Sequence, residues 1–96
     1  MIRHIVLFKL KEPTEENLAK TKEILLSMSG KVPELRSIEV GVDFLRSERS
    51  YDIALSVEVE NREALESYQR DPYHCGVVKP HMHAVRSASV AADYEI

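Results

Sequence analysis

Four stretches of the chain have the hydrophobic patterns of β-strands. Residues 37–44 and 51–60 alternate cleanly between apolar and polar side chains, as a strand with one buried face does. Residues 2–10 and 84–96 carry apolar side chains at both odd and even positions. We therefore expect two half-buried strands in the middle of the chain, and a strand at each end that is covered on both faces.

The stretch between the first two strands has the three-to-four-residue spacing of apolar side chains that predicts an amphipathic helix. Thr14 is placed to cap the free N–H groups at its start. Ser29 and Gly30 predict its end, because glycine is favoured just after the last turn of a helix. The apolar stripe of this helix consists of Leu18, Ile24, Leu25 and Met28.

A second helix is predicted to follow the third strand. It begins after Asn61, a good capping residue, and carries Tyr68 on its apolar side. The Asp-Pro pair at residues 71–72 breaks it, because proline has no N–H to donate and restricts the residue before it. We expect one or two further helical turns over residues 73–78, ending before Pro80.

The resulting order of elements is β-α-β-β-α-β, which is the ferredoxin-like arrangement of the α+β class. It predicts a four-stranded antiparallel sheet with both helices on one face. The other face has no covering element within the chain, although the strands present apolar side chains to it. Because an exposed apolar face of this size is unfavourable in a monomer, we expect a symmetric homodimer in which two sheets pack together.

Length and charge narrow the classes of protein that fit. The chain has 96 residues, enough for one domain over residues 1–96 and too few for two. Its 13 basic and 16 acidic residues give a formal net charge of −3, which provides no bulk attraction for nucleic acid or anionic lipid. No apolar run approaches the roughly 18 residues of a membrane helix, and the single cysteine fits a reducing compartment. We expect a cytoplasmic protein with no nucleic-acid or membrane partner.

Three residues are the strongest candidates for a functional site. His4 has the same parity as the apolar residues of its strand, and a lone buried histidine is more often packed in a core than catalytic. Tyr68 lies on the apolar side of the second helix, where packing is the ordinary role. His74 follows the Asp-Pro break, from which a side chain can point into a cleft. The pattern alone leaves structural and functional interpretations open for all three.

Other reactive side chains near the second helix raise the question of a metal site or a nucleophile. Histidine and cysteine are zinc ligands, but the spacing of those present is not that of a zinc motif. Cys75 beside His74 lacks a third group that would orient a nucleophilic pair. The chain also has no glycine-rich phosphate loop and no serine-centred elbow. We therefore predict no zinc site and no cofactor. The side chains considered as zinc ligands are His74, Cys75, His81 and His83.

The chain resembles the stress-responsive α/β-barrel domain (Dabb) family along its whole length. The resemblance rests on five segments: RHIVLFKL at residues 3–10, KVPEL at 31–35, VG at 40–41, YDIAL at 51–55 and YQRDPYH at 68–74. Members of this family are ferredoxin-like and dimerise by packing two sheets into a barrel. The resemblance therefore implies the same dimeric α/β barrel, in agreement with the homodimer expected from the uncovered apolar face.

The resemblance also implies an activity and the residues that would carry it. The family includes a plant polyketide cyclase, which closes a linear polyketide thioester by an aldol step without a cofactor. The pocket residues of that cyclase correspond to His4, Tyr68 and His74. In that role His74 would remove a proton beside a carbonyl, the Tyr68 hydroxyl would orient the imidazole, and His4 would donate to the developing oxyanion.

Two features of the family concern the turns that follow the second and the first helix. Where the family often has His-Pro-x-His, this chain has Asp71, which would either pair with His74 or cap the following turn. Some plant relatives bind magnesium through main-chain carbonyls after the first helix, and the matching positions here are Ser29, Val32 and Leu35. Carbonyl oxygens suit that ion, but no carboxylate is assured beside them, and the sequence does not decide whether they hold one.

Several functions stay open, because neither fold nor family determines function. The first is a dimeric domain that binds a small hydrophobic or carbonyl-containing molecule in a pocket lined by His4, Tyr68 and His74. The second is a cyclase, isomerase or lyase that needs no cofactor and uses His74 as general base. The third is a stress-related structural protein without a ligand. The fourth is a monooxygenase or haem-degrading enzyme, which the absence of tryptophan and of a haem-ligand motif disfavours.

Overall fold

The structure, a computed structural model, describes residues 1–96 and has the ferredoxin-like fold that the sequence predicts. Its strands are β1 (Ile2–Leu10), β2 (Ser37–Val42), β3 (Ile53–Val59) and β4 (Arg86–Glu95). Its helices are α1 (Glu15–Leu26), α2 (Arg62–Arg70) and α3 (Lys79–Val85), with a π-helical turn (His74–Val78) between α2 and α3. The sheet is antiparallel throughout, in the order β2-β3-β1-β4. None of the helices has the length and apolar character needed to span a bilayer.

Both helix starts that were predicted from capping residues are confirmed. Thr14 Oγ1 accepts a hydrogen bond from the N–H of Asn17 at 3.1 Å. Asn61 Oδ1 accepts one from the N–H of Ala64 at 2.8 Å. Each side chain thus binds one of the N–H groups that the first turn of a helix leaves without a partner. These are local interactions, which explains why the sequence predicts them well.

The first helix ends earlier than the predicted stop at residues 29–30. The helix ends at Leu26, and the following residues form turns in which the N–H of Ser29 bonds to the Leu26 carbonyl at 3.0 Å. This bond spans three residues, as in the tighter turns that commonly finish an α-helix. Gly30 then adopts a φ of 80°, which glycine reaches without strain and which redirects the chain toward β2.

The prediction that helical structure stops before Pro80 is wrong. The π-helical turn runs directly into α3, and β4 therefore begins at Arg86 rather than at residue 84. Proline is tolerated here because it lies in the first turn of α3, where its missing N–H would have no partner in that helix. This extra helix places additional side chains beside the candidate residues.

The middle strands are shorter than predicted, and β3 buries the expected face while β2 buries only Val40. β2 ends at Val42, so that Phe44, which the alternation placed in the strand, is 91% exposed in the hairpin loop. In β3, Leu55 and Val57 show the expected division: both are buried, and they are two residues apart on the face toward the helices. The polar stretch at residues 46–50 is a loop, as expected from its composition.

The two faces of the sheet differ in how they are covered. Even-numbered residues of β1 such as Phe8 are buried under the helices, whereas Ile5 and Leu7 are half-buried on the opposite, open face. On that face the register pairs Leu7 with Val90 of β4, which is 47% exposed. The expected covering of β4 on both faces is therefore absent within a single chain. A broad depression of about 660 Å³ lies on the open face and includes Ile5 and Tyr94.

Candidate functional site

The structure brings together the three side chains that sequence and resemblance singled out. They come from β1, α2 and the start of the π-helical turn, and all are buried, with exposed fractions of 7% for His4, 1% for Tyr68 and 8% for His74. The Tyr68 ring stacks on the His74 imidazole at a centroid distance of 4.5 Å and an interplanar angle of 19°. It meets the His4 ring edge-on at 5.8 Å. The Tyr68 ring thus lies between the two imidazoles and contacts both.

Asp71 sets the position of His74 by capping the turn that follows α2. Its Oδ1 accepts hydrogen bonds from the N–H of Tyr73 at 2.8 Å and from the N–H of His74 at 3.0 Å. Of the two roles considered for Asp71, the structure therefore shows the cap. The π-helical turn then begins, with the N–H of Lys79 bonded to the His74 carbonyl five residues before it. Such turns are rare and occur often at functional sites.

The hydrogen bond of His74 defines which ring nitrogen is free. Its Nδ1 lies 3.1 Å from the main-chain carbonyl oxygen of Tyr68, and because a carbonyl only accepts, Nδ1 carries the proton. Burial lowers the pKa of His74 below its ordinary value, and the charge of Lys79 lowers it further. The imidazole is consequently neutral near pH 7, with an unprotonated Nε2 that has no hydrogen-bond partner in the chain.

Tyr68 contributes its ring rather than its hydroxyl to this arrangement. The hydroxyl donates to Met28 Sδ at 3.8 Å, and a thioether is a weak acceptor. Burial raises the pKa of Tyr68, with a further contribution from the charge of Asp71, so the hydroxyl stays protonated at ordinary pH. The resemblance implied that this hydroxyl orients His74. In the structure the carbonyl of Tyr68 does so instead.

Asp93 is a member of the site that the sequence reasoning missed. The antiparallel register of β1 and β4 places it directly beside His4, and its Oδ1 accepts a hydrogen bond from His4 Nδ1. The other ring nitrogen of His4, Nε2, has no partner in the chain. The signal that could have identified Asp93 is the strand register: pairing the two terminal strands end to end places it opposite His4.

A cleft of about 240 Å³ lies beside the three rings, where β1, β4 and the helices meet. Its apolar lining includes Val6, Phe8 and Met82, and its polar lining includes basic side chains. The basic side chains are Lys79, His83 and Arg86. They belong to α3 and the start of β4. Sequence reasoning considered His83 only as a metal ligand, and it missed the other two because it ended helical structure before Pro80.

The other candidate ligands are not assembled into a metal site. His81 Nε2 lies 3.0 Å from Thr21 Oγ1, so its ring is directed toward α1. Cys75 is exposed, and its Sγ donates to the Gln69 carbonyl at 3.3 Å, not to the neighbouring His74. No group of three or more histidine, cysteine or acidic side chains is placed to hold a metal ion.

The main-chain carbonyls that the resemblance associated with magnesium lie in and after the turns that follow α1. The Val32 carbonyl accepts a hydrogen bond from the N–H of Leu35 at 3.2 Å and so takes part in the turn itself. For Ser29, the structure shows its N–H bonded to the last residue of α1. This segment connects α1 to β2 through hydrogen-bonded turns.

Comparison with known proteins extends this description. A family model described as the stress responsive A/B barrel domain, Dabb, matches residues 2–96. A protein of Streptomyces coelicolor described as uncharacterized is 32% identical over 77 residues, which cover 77% of this chain and 79% of that protein. The family match includes every strand and helix that carries the candidate site.

Solved structures show the same fold. A dimeric ferredoxin-like protein of unknown function from Bacteroides fragilis is 30% identical, with a TM-score of 0.85 over 99% of this chain and 95% of that one. Hydroxynitrile lyase from Passiflora edulis is 15% identical, with a TM-score of 0.83 over 99% and 92% of the two chains, which shows a shared fold. The chain belongs to the stress responsive A/B barrel domain (Dabb) family.

Proposed function

We propose that this protein is a cytoplasmic homodimer that binds a small, partly apolar molecule in the cleft of each subunit. The observation that carries the proposal is a pair of free imidazole nitrogens, Nε2 of His4 and Nε2 of His74, beside one cleft. Each Nε2 accepts a hydrogen bond when its imidazole is neutral, because Nδ1 carries the proton in both rings. A ligand hydroxyl could donate to either nitrogen, and a ligand carbonyl could accept from His4 Nε2 once that ring is protonated, while the apolar lining would contact the rest of the molecule.

A screen of small molecules by NMR tests the binding proposal. The compounds are aromatic aldehydes, ketones and phenols, and the signals followed are those of the imidazole nitrogens. We expect a ligand to shift the signals of His4 and His74, and the His74→Gln variant to bind it more weakly. The matched control is His81→Gln, since that histidine contacts α1 and does not line the cleft. The proposal is wrong if no compound shifts these signals, or if both variants weaken binding equally.

The homodimer is supported by the uncovered face of the sheet and by the dimeric relative from Bacteroides fragilis. We infer that two open faces pack together into a barrel, which would bury Leu7 and Val90. A stable interface of ordinary size removes about 800 Å² from each partner. Sedimentation at micromolar concentration should give twice the 11.0 kDa mass of one chain.

A matched pair of variants locates the dimer interface. Val90→Lys puts a charge on the open face and should dissociate the dimer. Leu26→Lys changes a comparably exposed apolar residue at the end of α1, away from that face, and should leave the dimer intact. A monomer in the unmodified protein, or dissociation by Leu26→Lys alone, would contradict face-to-face packing of the sheets.

We propose proton transfer beside a carbonyl as a second candidate function, because the geometry of His74 suits a general base. Its Nδ1–H is held by the Tyr68 carbonyl at 3.1 Å, and its unprotonated Nε2 is directed away from that anchor. His4, once protonated, could donate through Nε2 to the oxygen that gains charge. A cyclase, isomerase or lyase without a cofactor would use such a pair, and the lyase from Passiflora edulis has the same fold.

Deuterium exchange tests this second function without knowledge of the substrate. A small aryl ketone such as phenylacetone is incubated with the protein in D₂O, and loss of the proton beside its carbonyl is followed by NMR. A positioned base contributes about 10²–10⁴-fold in rate, so His74→Gln should remove the exchange that exceeds the buffer rate. His81→Gln should retain it. Exchange no faster than buffer would exclude general-base catalysis on this class of ketone and leave the binding function in place.

A further inference from the structure

We propose that the ligand of the cleft is an organic anion, with a carboxylate-like group held by Lys79 and Arg86 and an apolar body directed toward the three rings. This inference rests on the proposed binding function and adds the chemical class of the ligand. It follows from the charges that line the cleft, from the free donors of two side chains, and from the size of the space.

The lining of the cleft is basic although the protein as a whole is acidic. The chain has 16 acidic and 13 basic residues, yet the cleft is lined by Lys79, His83 and Arg86 and by no aspartate or glutamate. None of these three forms an ion pair within the chain, whereas five arginine–carboxylate pairs occur elsewhere. The unpaired charges of Lys79 and Arg86 beside one concave space raise the local concentration of anions there.

The nearest carboxylates are engaged by other groups. Asp93 accepts from His4 Nδ1, and Asp71 accepts from two main-chain N–H groups at the start of the π-helical turn. Neither lines the cleft. Lys79 and Arg86 therefore have no internal counter-ion available on this side of the molecule, and a bound anion would provide one.

Both cations are positioned yet retain donors. Lys79 Nζ donates to the Gln69 carbonyl at 3.2 Å, which uses one of the three donors of an ammonium group. Arg86 Nη1 donates to Ser89 Oγ at 3.3 Å, which uses one of the five donors of a guanidinium group. The half-buried Arg86 can therefore bind both oxygens of a carboxylate, the geometry in which guanidinium groups bind most specifically.

The size and lining of the cleft limit the rest of the ligand. A volume of about 240 Å³ corresponds to some eight water molecules at roughly 30 Å³ each. That space suits a single ring with one substituent better than a fused polycyclic molecule. With the anion at Arg86 and Lys79, the ring would lie on Phe8 and Met82, and its far end would reach the imidazoles.

Benzoate and benzamide test the inference, because they have nearly the same shape and differ in charge. We expect benzoate to bind at least about tenfold more tightly, since hydrogen bonds between two charged groups are roughly twice as strong as neutral ones. Arg86→Gln and Lys79→Gln should each remove most of that difference. Arg49→Gln and Lys31→Gln change the net charge equally at exposed positions outside the cleft and should keep it.

The outcomes separate this inference from the binding function on which it rests. If benzamide binds as tightly as benzoate, or if the control variants weaken benzoate as much as the cleft variants, the anionic class is wrong while binding in the cleft stands. If neither compound shifts the imidazole signals of His4 and His74 at millimolar concentration while an aldehyde, ketone or phenol does, the anionic class is wrong and the binding function stands; if no compound of either set shifts them, both are wrong. Preference for benzoate that is lost only in the two cleft variants supports the inference.

Discussion

Replacing Tyr68 separates the contribution of its ring from that of its hydroxyl. The ring is 1% exposed, stacks on His74 and meets His4 edge-on, whereas the hydroxyl has only the Sδ atom of Met28 as partner. Tyr68→Phe keeps the ring and removes the hydroxyl. Tyr68→Ala removes both and leaves a cavity between the two imidazoles. The structure therefore predicts very different costs for two substitutions at one position.

The expected magnitudes follow from burial and from the quality of the lost hydrogen bond. Truncation of a buried aromatic residue to alanine costs about 3–5 kcal/mol. Loss of a hydroxyl whose partner is a weak acceptor should cost less than the roughly 1 kcal/mol of an ordinary hydrogen bond. With a urea dependence of about 1.5 kcal/mol per molar, typical of small proteins, Tyr68→Ala shifts the unfolding midpoint by about 2–3 M. Tyr68→Phe should shift it by less than about 0.7 M.

Urea unfolding followed by circular dichroism measures these shifts, at one fixed protein concentration because association adds to stability. Tyr73→Phe is the matched control, since the Tyr73 hydroxyl bonds to Ser27 Oγ at 2.7 Å and its loss removes a good hydrogen bond. Tyr68→Phe should be the milder of the two. If Tyr68→Phe destabilises the protein more than Tyr73→Phe, the hydroxyl of Tyr68 has a stronger role than its contact with sulfur allows, and the reasoning fails.

Three further predictions follow from particular residues. Asp52→Ala should lower the free energy of unfolding by about 2–3 kcal/mol, because the buried carboxylate accepts hydrogen bonds from the Leu10 N–H and from Arg46 Nη2, both at 2.7 Å. A loss below half of this value in a urea titration would contradict a stabilising role for these two hydrogen bonds. Gly30→Ala should cost about 1 kcal/mol through its φ of 80° alone, since nothing lies within 4 Å of an added Cβ. Burial lowers the pKa of His74, so the imidazole binds a proton more readily in the unfolded chain than in the folded one. The free energy of unfolding should therefore fall as pH drops below about 6.5, the ordinary histidine value. His74→Gln should flatten this dependence, and an unchanged pH profile would show that the imidazole is not buried in its neutral form.

The parts of the fold that the sequence predicts well are those governed by local rules. The two-residue period of β1 places His4 on the same face as Phe8, and the structure buries both. Thr14 and Asn61 cap their helices through bonds that span three residues. In each case the interacting groups are close in sequence, so that no knowledge of the tertiary structure is needed.

The parts that the sequence does not predict depend on contacts between distant segments. Asp93 is 89 residues from His4, and only the register of β1 and β4 brings them together. For Tyr68, residue type suggests a role for the hydroxyl, but the backbone geometry at the end of α2 decides that the carbonyl meets His74. Phe44 continues the alternation of β2, yet the strand ends at Val42, where its pairing with β3 ends. Pairing and backbone geometry of this kind are tertiary properties.

The largest error of sequence-based prediction and the basic side of the cleft have the same physical origin. A proline normally marks the end of a helix, so Pro80 led to a predicted strand from residue 84, yet here it begins α3. The N–H of Lys79 bonds to the His74 carbonyl, and this π-helical bond continues the helical conformation from His74 into α3, past Pro80. As a result, the free imidazole and the two cations, Lys79 and Arg86, border one cleft. Local rules fail most often where a site imposes its own geometry, and the misassigned segment coincides with the cleft in which we propose that a ligand binds.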